Sequence, residues 1–480
     1  MTDTPSPMLY PPERMPKIVW GIIAASAVIL FACSSARHLL FQSNGFDLGI
    51  FDQVAYLISR GGVPFSTIND THHMADHAAW SFYPIGLLYW LYPSVYWLFA
   101  IQAFSLSIAV WPLWHLARIS GLPRSQSLGI VFTYLLYPVI FNVNLFDFHV
   151  EVMAVPAMFA AILAAKRDRP WLFTLATLFV LGCKAVLALP IAVMGIWLFV
   201  FEGQGRCGAI AFISGSAWFV MATQWIVPAF KDGSQHAAIG RYSYLGDSIP
   251  DILRNLMTQP GLITGQVFSL ASLEYLALLL LPVIWGLSLR KLAPLLPTLP
   301  ILMLNILSTV PAQRNLVQQY SLPILPFLLV AVIGGLQVGR RQRLGIRAMS
   351  ILGAIAFLAL AKYGYFGSLY LKQLDNWTEA REAIALVDPQ TRVLTTSAMS
   401  PHLTHRTTIR FTEERNPHQN VDDFDVVLLN TRHPGWASSP AYANQLLEQL
   451  EGTSHFEQRY AQNDIFLFQR SASRESRDAT

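Results

Sequence analysis

Long apolar runs separated by short polar connections dominate the chain from Ile18 to about residue 367. Most approach the roughly 20 residues that a helix needs to cross a hydrocarbon core. Candidate spans fall at 18–40, 95–117, 126–144, 150–165, 171–183, 185–201, 209–229, 269–289, 292–310, 321–338 and 347–367. Two of them, 171–183 and 185–201, are short for full crossings, with Lys184 at the break. Helices broken near one face are tolerated only where a cavity or protein covers the exposed backbone. Prolines at Pro112, Pro138, Pro156, Pro190, Pro282 and Pro323 predict kinks of the same kind. Beyond residue 370 the period changes. Trp377–Val387 and Ala441–Leu450 have helical spacing, Arg392–Thr396 and Asp425–Leu429 read as strands, and Phe456–Tyr460 with Ile465–Gln469 forms a hairpin around Gln462-Asn463-Asp464. Strands alternating with helices predict a small α/β domain. The expected fold is therefore mainly α. A tail (1–17) leads into a polytopic bundle of about 11 spans (18–369) with a long first loop (41–94), followed by an α/β domain (370–470) and a polar, disordered tail (471–480).

Composition agrees with that pattern. Hydrophobic residues make up 53% of the chain and charged residues only 13%, against about 25% charged in ordinary soluble domains. The lipid bilayer is the expected surrounding. The net charge of +4 requires no nucleic-acid partner, because the basic residues sit mostly in short connections. Arg14 and Lys17, Arg118 and Arg124, Lys166 to Arg169, Arg206, Arg290 and Lys291, and Arg340 to Arg347 all fall on one side if eleven spans are counted. The positive-inside rule makes that side cytoplasmic. The N-terminus is then cytoplasmic, while the Asn44–Ser81 stretch, the Phe146–Glu151 turn, Lys184, the loop 230–268, Pro311–Tyr320 and the C-terminal domain face outward. The start of the chain shows no small-residue cleavage pattern, so Ile18–Leu40 reads as a retained helix. Three cysteines, all in or beside apolar segments, offer neither a disulfide framework nor a CxxC metal site.

The polar residues that need explaining lie on the outward face. Asp47 and Asp52 in FDLGIFDQ have apolar neighbours and suit a general base; equally, Asp47 after Asn44-Gly45 suits a helix cap. In THHMADH, His73, Asp76 and His77 have spacing that could hold a divalent metal, or the histidines simply bond within the loop. Asp147, His149 and Glu151 in FDFHVE are costly at membrane depth unless they are paired or line a wet cavity. Lys184 either snorkels outward or neutralises a phosphate. Arg241 and Tyr242, Arg254, and Arg314 with Gln318, Gln319 and Tyr320 complete the set, arginine being suited to bidentate phosphate binding. The C-terminal part holds no Gly-rich nucleotide loop.

Together FDLGIFDQ, His77 followed by the apolar SFYPIGLLYWLYP, LYPVIFNVNLFDFHVE, RYSYLG, QYSLPILPFL and the C-terminal PHLTHR with FDVVLLN resemble the bacterial membrane-protein family called domain of unknown function 2079. The resemblance covers most of the chain. It departs at Lys184-Ala185-Val186, where the family usually reads Lys-Glu-Asp, and at Ser321, where a histidine is common. That family is similar to the C-type glycosyltransferases. The resemblance implies a multi-pass protein of the bacterial inner membrane that transfers a sugar from a polyprenyl-phosphate donor to an extracytoplasmic acceptor. By position it makes Asp47 the catalytic carboxylate, with Asp52 the second choice. His77, His149, Glu151, Lys184, Arg241, Tyr242, Arg314 and Tyr320 become expected substrate contacts. A divalent metal is the one cofactor that the residues leave open. The competing readings are a transporter or flippase of lipid-linked saccharides and a non-catalytic membrane scaffold; the absence of an internal repeat counts against the former.

Overall fold

A computed structural model describes residues 14–231, 237–338, 344–415 and 420–471. Most of the tail expected at 1–17, nearly all of 471–480, and Arg340, Arg341 and Arg343 lie outside the described residues. The described chain is mainly helical. Five helices are long and apolar enough to cross a membrane: Lys17–Leu39, Tyr96–Ile119, Arg124–Leu145, Gly205–Ala229 and Gln319–Leu336. A sixth arises if Ile346–Leu360 and Tyr363–Ala385, bent by 46°, count as one span. The sequence expects eleven spans, and length and composition alone single out these five or six among the described residues. Helices do occur at the remaining positions, but Glu151–Lys166, Pro170–Cys183, Ala188–Phe201, Leu270–Leu280 and Leu299–Leu307 have 16, 14, 14, 11 and 9 residues. The span expected at 269–289 stops early because Pro282 cannot continue the backbone ladder.

Large apolar side chains are exposed along these helices, among them Val28, Leu175, Phe199, Ile213, Ile351 and Leu358. Such a belt is stable only against lipid. Inside, one continuous apolar core joins the helices, with Trp114, Tyr134, Trp197 and Phe327 almost fully buried. Helices Ala188–Phe201 and Gly205–Met221 approach closely through Gly195, Gly208 and Gly215, the small-residue contact usual where lipid offers no hydrophobic drive.

The first loop is ordered. A π-helical turn at Gly45–Gly49 leads into helix Ile50–Ser59, and a short hairpin pairs β1 (Phe65–Ser66) with β2 (Thr71–His72). The C-terminal part carries β3 (Val393–Thr395), β4 (Ile409–Phe411), β5 (Val426–Asn430), β6 (Phe456–Gln462) and β7 (Ile465–Arg470), in the order β4-β3-β5-β7-β6. β3 runs parallel to β4 and β5, and β7 antiparallel to β5 and β6. Alternation along β5 sends Val426 and Leu428 toward helix Trp377–Ala385, and Val427 and Leu429 toward helix Pro440–Glu451. Phe41, just past the first span, is buried in the former cluster. Gln53 donates to the Arg406 and Thr407 carbonyls, each at 3.3 Å, and Thr67 brackets Ile409 with bonds of 2.8 and 2.9 Å. The first loop and the α/β part are thus bonded together.

Candidate active site

Asp47 lies in the π-helical turn, opposite the turn 146–150. Asn44 caps that turn, its side chain accepting from Phe46 N–H and its Nδ2 donating to Asp47 Oδ2 at 3.0 Å. On the other side, His149 Nε2 is 3.4 Å from Asp47 Oδ1. The His149 tautomer follows from its second nitrogen: Nδ1 is 3.2 Å from the Asp147 carbonyl, which can only accept. Burial opposes charge on His149, but the neighbouring Asp47, with Glu151 beyond it, outweighs that penalty and raises its proton affinity above the ordinary value. Asp147 holds both sides of this pair. Its carboxylate accepts from Asn44 N–H at 2.8 Å and pairs with Arg37 at 2.9 Å, and its backbone sits at φ 101°, a conformation rarely adopted by an L residue.

Two residues after His149, Glu151 enters a cavity of about 270 Å³. Helix Pro170–Cys183 ends there, Lys184 is extended, and the chain resumes as a helical turn at Ala185. The break frees Lys184 to bond Glu151 at 2.7 Å. A Cβ on Gly182 would overlap the Trp80 ring, so the first loop packs directly on this break. The cavity also receives Asp76 and His77, paired at 3.1 Å, with Arg241, Tyr242, Tyr320, Asn305, Gln313 and Gln319. Arg241 lies over the Tyr320 ring at 5.5 Å, and among the described residues no carboxylate pairs with it.

The residues expected from sequence divide accordingly. His77, Glu151, Lys184, Arg241, Tyr242 and Tyr320 line one cavity, with His149 between it and Asp47. Arg314 is not among the lining residues. Asp52 points elsewhere. It is buried under the α/β part, accepting from Tyr89 at 2.5 Å and from Thr404, with His405 at 3.2 Å. The metal reading of His73, Asp76 and His77 is corrected: His73 is buried and donates to the Ala79 carbonyl at 3.1 Å, away from the other two. Burial pushes its pKa down to about 3. Among the described residues no group of three or more His, Cys, Asp or Glu side chains could hold a metal ion. Asn305 and Gln313 escaped the sequence reading, whereas Gln319 lies in the outward polar set it named. Asn305, alone in an otherwise apolar helix, was the detectable signal, since polar groups at membrane depth need partners.

A family model described as "Predicted membrane protein (DUF2079)" matches residues 37–467. Comparison with curated proteins finds no match. Among solved structures, ArnT from Cupriavidus metallidurans bound to undecaprenyl phosphate superposes with a TM-score of 0.54 at 12% identity, over 95% of this chain and 98% of that one. The apo form of the same protein gives a TM-score of 0.52 at 13% identity over the same shares. At that identity the likeness is one of fold.

Proposed function

The chain belongs to the DUF2079 family of predicted membrane proteins and has the fold of ArnT, and from that premise we propose that it transfers a sugar from a polyprenyl-phosphate donor to an extracytoplasmic acceptor. The observation that carries this reading is the cavity holding Lys184, Arg241 and His77, whose Glu151 is two residues from the His149 that meets Asp47. The ArnT structure was obtained with undecaprenyl phosphate, a ligand of the class proposed here as donor carrier.

In the proposed reaction the acceptor hydroxyl attacks the anomeric carbon and gives its proton to Asp47. The bond from that carbon to the phosphate oxygen breaks on the opposite face, so the configuration inverts. The oxygen leaves with the electron pair, and Arg241, with Lys184 and His77, stabilises the charge developing on it. His149 and Asn44 hold Asp47 in place. The basic cytoplasmic connections read from the sequence favour an inner-membrane protein with this site and the α/β domain outside.

The test is transfer of labelled sugar from polyprenyl-phosphate donors by the full-length protein in liposomes. Asp47→Asn should lower the rate by about 10²–10⁴-fold, the scale of a lost general base. Full activity in that variant would remove Asp47 as the base. Absence of transfer with every donor, accompanied by movement of lipid-linked saccharide between leaflets, would replace the reading with a flippase.

A further inference from the structure

Trp436 is placed the wrong way round for an ordinary surface tryptophan. Its polar edge is turned inward: Nε1 donates to Asn44 Oδ1 at 2.8 Å. Its apolar ring is left 60% exposed. A tryptophan at a membrane interface keeps its N–H toward water or headgroups and buries its ring. Beside it Phe46, itself 45% exposed, meets the indole edge-on at 6.2 Å between centroids. Phe411 supports the same ring edge-on at 5.8 Å.

The ring is also fixed. The preceding Gly435 has φ 93°, and a Cβ there would strike Ser397 Oγ, so the loop is seated on β3's C-terminal end. Ser397 donates to the Pro434 carbonyl at 3.2 Å, and Asn430 Oδ1 accepts from His433 N–H at 2.8 Å. A rigid, open aromatic face costs little conformational entropy when something binds to it.

Its location gives it a use. The Asn44 carboxamide touches Trp436 with its oxygen and Asp47 with its nitrogen. One side chain therefore separates the exposed ring from the proposed base, and Phe46 is the residue before that base. A ligand lying on this surface can carry a hydroxyl to Asp47. The partly positive C–H groups on the flat face of a pyranose complement the negative face of an indole, and its equatorial hydroxyls remain free for water or for the base.

We propose that Trp436, with Phe46 standing edge-on to it, forms a platform on which a pyranose ring of a saccharide acceptor stacks, delivering its hydroxyl to Asp47. This rests on the glycosyl-transfer reading and narrows its acceptor to a carbohydrate held jointly by the first loop and the α/β part.

Saturation-transfer NMR on the full-length protein in lipid nanodiscs tests it, with maltotriose and N-acetylchitotriose as probes. Saturation should reach the C–H protons of one pyranose face, persist in Asp47→Asn, weaken only slightly in Trp436→Phe, and disappear in Trp436→Ala. In the transfer assay Trp436→Ala should raise the acceptor KM by about tenfold, the scale of one lost aromatic anchor, with donor KM unchanged. No saturation of either probe, or equal saturation in Trp436→Ala, overturns the platform. Saturation without sugar transfer by the wild type would keep the saccharide site and sink the transferase reading, and transfer unaffected by Trp436→Ala would do the reverse.

Discussion

At the scale of single residues, Asp47 and Asp52 show how a spacing divides into two roles. Five residues apart on a helix, they differ by roughly 140° in direction. The intervening π-helical turn shifts that phase further, and only the folded loop decides which carboxylate faces what. Asp47 meets His149, while Asp52 is buried against Thr404 and His405. Asp147 was visible in the sequence as a costly acidic group, but its ion pair with Arg37, 110 positions away, was not. That pair is buried on both sides. Asp147→Ala should therefore cost about 3–5 kcal/mol, because it leaves the Arg37 charge without compensation. The expected readout is a clear fall in the thermal unfolding midpoint of the detergent-solubilised protein. An unchanged midpoint would show that Arg37 reaches water.

At the scale of elements, apolar periodicity located most helices closely and overstated length clearly at 269–289, where the helix is Leu270–Leu280. Hydropathy reports the lipid-facing and core-facing stretches alike. It places a break at Lys184, but it cannot see that the carboxylate partner of that lysine is 33 residues earlier. The strands were more legible, because two-residue alternation and the Asn463-Asp464 turn, both at positive φ, are local signals. Helix pairing was not. The contact of Ala188–Phe201 with Gly205–Met221 depends on bare backbone at Gly195, where a Cβ would come within 2.5 Å of Phe212 N and 2.6 Å of the Gly208 carbonyl. Gly195→Leu should push these helices apart and cost on the order of 1–3 kcal/mol, as overpacking does. Loss of folded protein on size-exclusion chromatography checks this, and a wild-type elution profile with wild-type stability would argue against the close approach.

At the scale of the whole molecule, the junction of the first loop with the α/β part is rich in histidine. His38 stacks on His402 at 4.0 Å between ring centroids, and His405 stacks on Tyr56 while facing Asp52. Burial, aided by nearby Arg381, pushes the His402 pKa down to about 4, against Asp52 acting the other way. The unfolded chain binds that proton near the ordinary value of about 6.5, so acidification from there toward about 4 favours the unfolded state. His405 has the opposite sign. Burial and the charges of Arg406 and Arg60 oppose its protonation, but Asp52 outweighs them and raises its affinity. Its contribution is complete below about 6.5 and fades as pH rises through the raised value. Hydrogen exchange at residues 400–411 should thus show protection falling on both sides of near-neutral pH. His402→Gln should flatten the acid limb and His405→Gln the alkaline one, whereas a pH-independent profile would refute the assignment.

The sequence by itself determined the membrane class, the positions of most helices, the strands of the α/β part other than β4, and most of the unusual polar residues. Those properties follow from hydropathy and period, which are local. Only the tertiary structure decided which polar residues meet. Ion pairs such as Arg37–Asp147 and Lys184–Glu151, and the contact of Trp436 with Asn44, join positions that no spacing rule connects. Burial then settles their meaning: the same residue types become a cavity wall beside Asp47 and a domain junction around Asp52, according to what the fold removes from water.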